Sequence, residues 1–273
     1  MAELKFIQFF SRSAPNPGKK LKKDNSPPQC NKSIITIIVL FLVISVSISV
    51  VPQYPYAGAQ NNNNPVVAAP DSRPQGLTYG QWAAKWWQWA YSIPWDRNPS
   101  YDDTGKYCNE NQNGPVWFLT QAFEHPVIRT CEIPRSTALL ITLLNSECSF
   151  AEFKSLKTEQ ELRDCAKSMQ DIVSGLHASL DGISIPNLEK YRVQTNLFNF
   201  TLPENNILNL TAQTTQSIAD GNWLFLKPLP PGIHKLIAKG DVNGNVSTIE
   251  FHGNQFAGPI GWNQTTTYIL KVK

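Results

Sequence analysis

The chain has 273 residues, 41% of them hydrophobic and 16% charged, with a formal net charge of +3. With 11% aromatics and eight tryptophans it can build a sizeable core, which excludes wholesale disorder. Residues 1–32 hold seven Lys/Arg against Glu3 and Asp24, a net of +5, whereas residues 60–273 hold 17 basic against 19 acidic residues, a net of −2. The basic excess therefore belongs to the N-terminal tail, and the body carries no nucleic-acid footprint.

Behind that tail, Ile34–Val51 reads IITIIVLFLVISVSISVV, with 14 of its 18 residues apolar and none charged. As a helix it would span about 27 Å, close to a hydrocarbon core of ~30 Å. The basic flank places residues 1–33 in the cytoplasm and the remainder outside. Two fates are open for residues 34–51. The segment can remain as a single-pass anchor in the cell membrane, or the small-x-small triplet Ala57-Gly58-Ala59 can direct cleavage after Ala59 and secretion. Residues 52–75, which include QNNNNPVVAAPD, read as a polar linker, and 76–273 as the exported domain.

The domain opens on a helix. Thr78 is a good N-cap, Gln81 completes a capping box, and Leu77 with Trp82 forms the hydrophobic staple around it. Pro94 ends the helix at about Ser92. Trp82, Trp86 and Trp89 recur at i, i+4 and i+7, a stripe expected to pack on a sheet. Trp87 lies about 100° off that stripe. It is therefore expected to be more exposed and, with Trp95, is a candidate ligand-contact aromatic.

The string TYGQWAAKWWQWAYSIP, followed by DDTGKYC, QNGPVWFL and VIRTCEIP, resembles an uncharacterised family of exported proteins marked by a YGxWxAxWWQW opening. The resemblance runs from about Leu77 to Lys273. It implies export and one conserved body, and it brings no assigned activity and no catalytic residues.

Four cysteines fall in the body: Cys108, Cys131, Cys148 and Cys165. An even number in an oxidising compartment favours two disulfides, and four cysteines allow three connectivities. Cys108–Cys131 and Cys148–Cys165 are expected, because each pair closes a short loop. Four Asn-x-Ser/Thr sequons, at Asn199, Asn209, Asn245 and Asn263, are candidate glycosylation sites.

Strands are expected at Val116–Phe123, Val127–Glu132 and Ala138–Leu144. A second helix starts at the Thr158–Glu161 capping box and turns Leu162, Cys165, Ala166, Met169 and Val173 inward. Beyond it, LHASL-DG-ISI reads as a hairpin turning at Asp181-Gly182. Arg192–Thr201 alternates as a strand. Asn222–Leu229 and Ile233–Lys239 read as a hairpin around Pro230-Pro231-Gly232, and Thr248–His252 and Thr265–Lys273 finish the chain. The fold class is mainly β with helical insertions, a β-sandwich or jelly-roll-like domain.

No catalytic motif stands out. The histidines His125, His177, His234 and His252 show no metal-ligand spacing, although His234 and His252 lie on late strands that could pair. Asp102-Asp103-Thr104-Gly105 contains the Asp-Thr-Gly triplet of aspartic proteases, but it has a turn-rich context and no second copy. With Asn109, Glu110 and Asn113 it also offers oxygen ligands that a calcium ion could use, while Asp241–Asn245 reads as a hairpin turn. There is no GxSxG, phosphate loop or dinucleotide fingerprint, so no cofactor and no catalytic residue is assigned. The expectation is a membrane-anchored or secreted envelope module that binds a glycan, a surface polymer or another envelope protein, with an exported hydrolase as the alternative.

Overall fold

The structure, a computed structural model, describes residues 66–122, 125–242, 248–251, 254–257 and 263–273. The apolar segment Ile34–Val51, the Ala59 junction, Asn245 and His252 lie outside these residues. Among the described residues no helix is long and apolar enough to cross a membrane.

The body is mainly β. Its first sheet runs β1 (Val116–Leu119), β3 (Ala138–Ser149) and β8 (Gln213–Leu226), with β6 (Arg192–Gln194) and β7 (Phe198–Leu202) sharing the far edge of β8. The second runs β2 (Val127–Ile133), β12 (Asn263–Val272), β9 (Gly232–Val242), β4 (Val173–Leu180) and β5 (Ile183–Ser184). A separate antiparallel pair joins β10 (Thr248–Phe251) to β11 (Asn254–Ala257). Both large sheets are mixed, because β1–β3 and β2–β12 are parallel. Parallel ladders are not part of a jelly roll, which is antiparallel throughout.

Apolar alternation decides which face goes where. Leu139, Ile141, Leu224 and Leu226 point from the first sheet onto Leu236, Ala238, Tyr268 and Leu270 of the second, so the two sheets pack face to face. Leu140, Trp223 and Phe225 point the other way, under helix α1 (Tyr79–Ser92). Helix α2 (Glu159–Gln170) covers the remaining end of the first sheet through Leu162, Cys165 and Ala166 against Cys148 and Ile218. Both helices start at the expected capping boxes, Thr78 with Gln81 and Thr158 with Glu161. The sheets approach closely where β9 crosses the bulge in β3. There a Cβ on Gly240 would lie 2.8 Å from the Leu143 carbonyl, so only glycine fits.

The Asp181-Gly182 turn is formed as expected, with φ of 51° and 80°. Four other expectations need correction. Val173 is not on the inward face of the second helix, which ends at Gln170; it opens strand β4. Arg192–Thr201 is two strands, β6 and β7, separated by Thr195–Leu197. The strand expected from Asn222 begins at Gln213, where polar residues alternate along β7. Strands β8 and β9 are not a hairpin. They lie in different sheets, because Pro228, Pro230 and Pro231 cannot donate to a ladder and instead carry the chain across. The body also takes in residues before the expected domain start at 76. Val67 bridges Leu226, Ala68 N donates to Phe225 O at 2.8 Å and Lys227 N to Val66 O at 2.9 Å.

Candidate binding surface

The expected tryptophan stripe is buried. Trp82, Trp86 and Trp89 are 6%, 3% and 6% exposed, and each indole N–H donates to a backbone carbonyl: Pro74 at 2.7 Å, Leu119 at 2.9 Å and Glu110 at 2.9 Å. Trp87 departs from expectation. It is 2% exposed, with its ring 5.0 Å from those of both Trp86 and Tyr91, so it is core and not a ligand contact. The reason is that α1 packs on more than one side. Phe198, Phe200 and Leu202 of β7 add to the same apolar cluster, and the helix keeps only Gln81, Lys85, Gln88 and Ser92 exposed.

Trp95 does remain exposed, at 44%. Its turn is fixed from several directions. Trp95 N donates to Asn205 O at 2.7 Å, and the Asn98 amide donates to Ala90 O at 2.8 Å and Ile93 O at 3.1 Å, closing the end of α1. The Tyr101 ring lies 6.0 Å away at a 50° tilt. Asp96, bonded to Asn205 at 3.2 Å, and Arg97, paired with Glu110 at 3.2 Å, supply polar groups beside it.

A groove of about 470 Å³ opens where the first half of α1 faces the chain between β6 and β7. Ala84 leaves room for it, while Gly80 lets the helix approach the β6 edge. Its walls include Gln81, Lys85 and Gln88 on one side and Asn196 and Leu197 on the other. The sequence reading missed these residues. Their only signal was four polar positions on one side of a helix otherwise crowded with aromatics.

The titratable groups serve the fold. Asp102 accepts from Thr104 N and its hydroxyl, both at 2.9 Å, and from Tyr107 N at 2.8 Å. Burial would raise its pKa, but these bonds outweigh burial and hold it below the ordinary value. The Asp-Thr-Gly triplet is therefore a turn, and Gly105 (φ +90°) is pressed against Thr130, where a Cβ would sit 2.5 Å from its carbonyl. Asp103 instead meets exposed His125 at 3.1 Å. Arg129, 1% exposed, binds this loop through Asp102 O at 2.5 Å and Ser100 O at 3.3 Å, and reaches Thr120 O at 3.0 Å and the Tyr268 hydroxyl at 3.0 Å. His234 is buried between Asp181 (2.8 Å) and the Pro230 carbonyl (2.9 Å), so a carbonyl stands where a catalytic histidine would face a nucleophile. Among the described residues no group of three His, Cys, Asp or Glu side chains could hold a metal ion.

Both expected disulfides are formed, Cys108–Cys131 and Cys148–Cys165. Three sequon asparagines, Asn199, Asn209 and Asn263, are exposed; the Asn263 amide donates to Asp241. No family model, no curated protein and no solved structure matches the chain.

Proposed function

We propose that the chain is an exported, non-catalytic envelope module that binds a glycan or surface polymer through Trp95. It is held to the cell membrane by Ile34–Val51 or secreted after cleavage following Ala59, with glycans at Asn199, Asn209, Asn245 or Asn263. One observation carries the binding reading. Trp95 alone among the described tryptophans is left exposed, on a turn that Asn98 and Asn205 hold rigid. An indole offers an apolar face and an N–H donor together, which suits a ligand with both hydroxyls and C–H faces. The two disulfides support an oxidising compartment. Among the described residues, nothing in the arrangement of His, Ser and acidic side chains favours the hydrolase alternative.

The test is retention of the full-length chain, in detergent, on insoluble cellulose, chitin, xylan and mannan. Wild type is expected to be retained on at least one of them. Trp95→Ala should lose retention with an unchanged melting temperature, and equal retention of the variant would remove Trp95 from the ligand contact. The mass of the mature N-terminus separates the anchored from the cleaved form.

A further inference from the structure

We infer that the seam between α1 and the β6–β7 edge is a binding track for an extended, uncharged polysaccharide chain, with the groove at one end and Trp95 at the other. This rests on the glycan-binding reading above and extends it from one residue to a site.

Three contacts set the seam's course. A Cβ on Gly80 would lie 3.4 Å from Gln194 O, the Gln88 amide donates to Asn199 O at 2.8 Å, and Trp95 N donates to Asn205 O at 2.7 Å. The partners advance together along both segments, so helix and edge run side by side in the same direction. From Gly80 to Ser92 the helix alone covers roughly 20 Å at 1.5 Å per residue. The exposed stripe of Gln81, Lys85, Gln88 and Ser92 follows that course and ends just before Trp95.

The lining selects the ligand. The Gln81 carbonyl is committed to Thr78 N at 2.9 Å, which leaves its NH₂ as a donor. The Gln88 NH₂ is committed to Asn199, which leaves its carbonyl as an acceptor. Exposed Asn196 brings both. Sugar hydroxyls donate and accept, so alternating amide donors and acceptors match them. Ala84 and Leu197 give apolar wall for C–H faces, as Trp95 does beyond. The groove's charged lining is Lys85 and Asp71, one of each sign, so the groove has no net charge to attract an ionic polymer. Its volume lies within the usual range for ligand sites, about 300–1,000 Å³.

The experiment is calorimetric titration of the full-length chain with cello-, chito-, xylo- and manno-oligosaccharides from dimer to hexamer, and with polygalacturonate as the charged comparison. Wild type should bind one neutral series more tightly as the oligomer lengthens. Ala84→Phe, which fills the groove, and Asn196→Ala should each weaken hexamer binding by about tenfold, equivalent to ~1.4 kcal/mol, while leaving the dimer unchanged. Melting temperatures should stay at the wild-type value. If Trp95→Ala abolishes binding while both groove variants bind hexamer like wild type, the track is wrong and the glycan reading stands. Binding of polygalacturonate in preference to every neutral series overturns the uncharged track. Absence of binding by wild type to every probe overturns the track and the glycan reading together.

Discussion

Tyr91 and Glu147 meet beneath helix α1, where the phenol donates to the carboxylate at 2.6 Å although the two residues are 0% and 6% exposed. The Ser217 hydroxyl donates to the other oxygen of Glu147. A second acid, Glu152, comes against the same carboxyl and accepts from Ser149 at 2.6 Å. Burial, and then the Glu147 charge, push the Glu152 carboxyl well above its ordinary value of 4.5.

That shift makes stability depend on pH. Between the ordinary carboxyl value and the raised one, the folded chain holds a proton that the unfolded chain has released. The stabilisation is therefore complete below about pH 4.5 and is lost as pH rises through the folded value. Urea unfolding from pH 4 to 8 should show stability declining from this source. Glu152→Gln should flatten the decline, and an unchanged slope in that variant would place the acid pair outside the stability balance.

The tryptophan helix gives a graded prediction. Trp82, Trp86, Trp87 and Trp89 are all core, so replacing any one by Ala should cost about 3–5 kcal/mol. For a body of this size that lowers the melting temperature by roughly 10 °C. Trp95→Ala should stay within about 0.5 kcal/mol of wild type. Thermal melts of the five variants check the order, and the decisive comparison is Trp87 against Trp95.

Arg129 holds the Ser100–Asp102 loop, Thr120 and Tyr268 at once, through a planar fork of donors. Arg129→Ala would strand several buried carbonyls, each at about 1–3 kcal/mol, for a total of at least ~3 kcal/mol. Arg129→Lys should recover little, because a point charge cannot reach the same acceptors. Denaturant unfolding of both variants measures this, and full recovery by Lys would show that charge, not the fork, matters.

The two disulfides should differ in access. Cys108 lines an open cleft with Lys106 and Lys273, whereas Cys148 and Cys165 are 0% and 2% exposed among Leu162, Ala166 and Ile218. Graded reduction followed by alkylation should label Cys108 and Cys131 first. Each bridge is expected to contribute about 3 kcal/mol by the loop-entropy argument. Simultaneous opening would mean that local access does not control reduction.

What could be read from the sequence was local. Capping boxes announced both helices, and Asp181-Gly182 announced its turn, because these devices act within four residues. The cysteine pairing followed from short loops. The failures share a different cause. Trp87 was misplaced because a helical wheel assumes one buried face, whereas β7 supplies a second wall from more than a hundred residues away. The proline-rich link from β8 to β9 looked like a turn because sequence shows where a ladder must stop and not which sheet receives the next strand. The groove was invisible because glutamine on an exposed helix face is ordinary until something stands opposite it.

Val66–Ala68, β6 and β7 occupy one edge of β8 in succession, and β12, the last of the described strands, is the one that joins β2 to β9. A polypeptide delivered N-terminus first must therefore present its opening residues and then wait for Leu226 before they find their place. The second sheet closes later still, after β12 emerges. Such high contact order makes assembly slow, with helix α1 uncovered in the interval. Loss of β12 should thus be felt at β2, which pairs with it in parallel from far earlier in the chain.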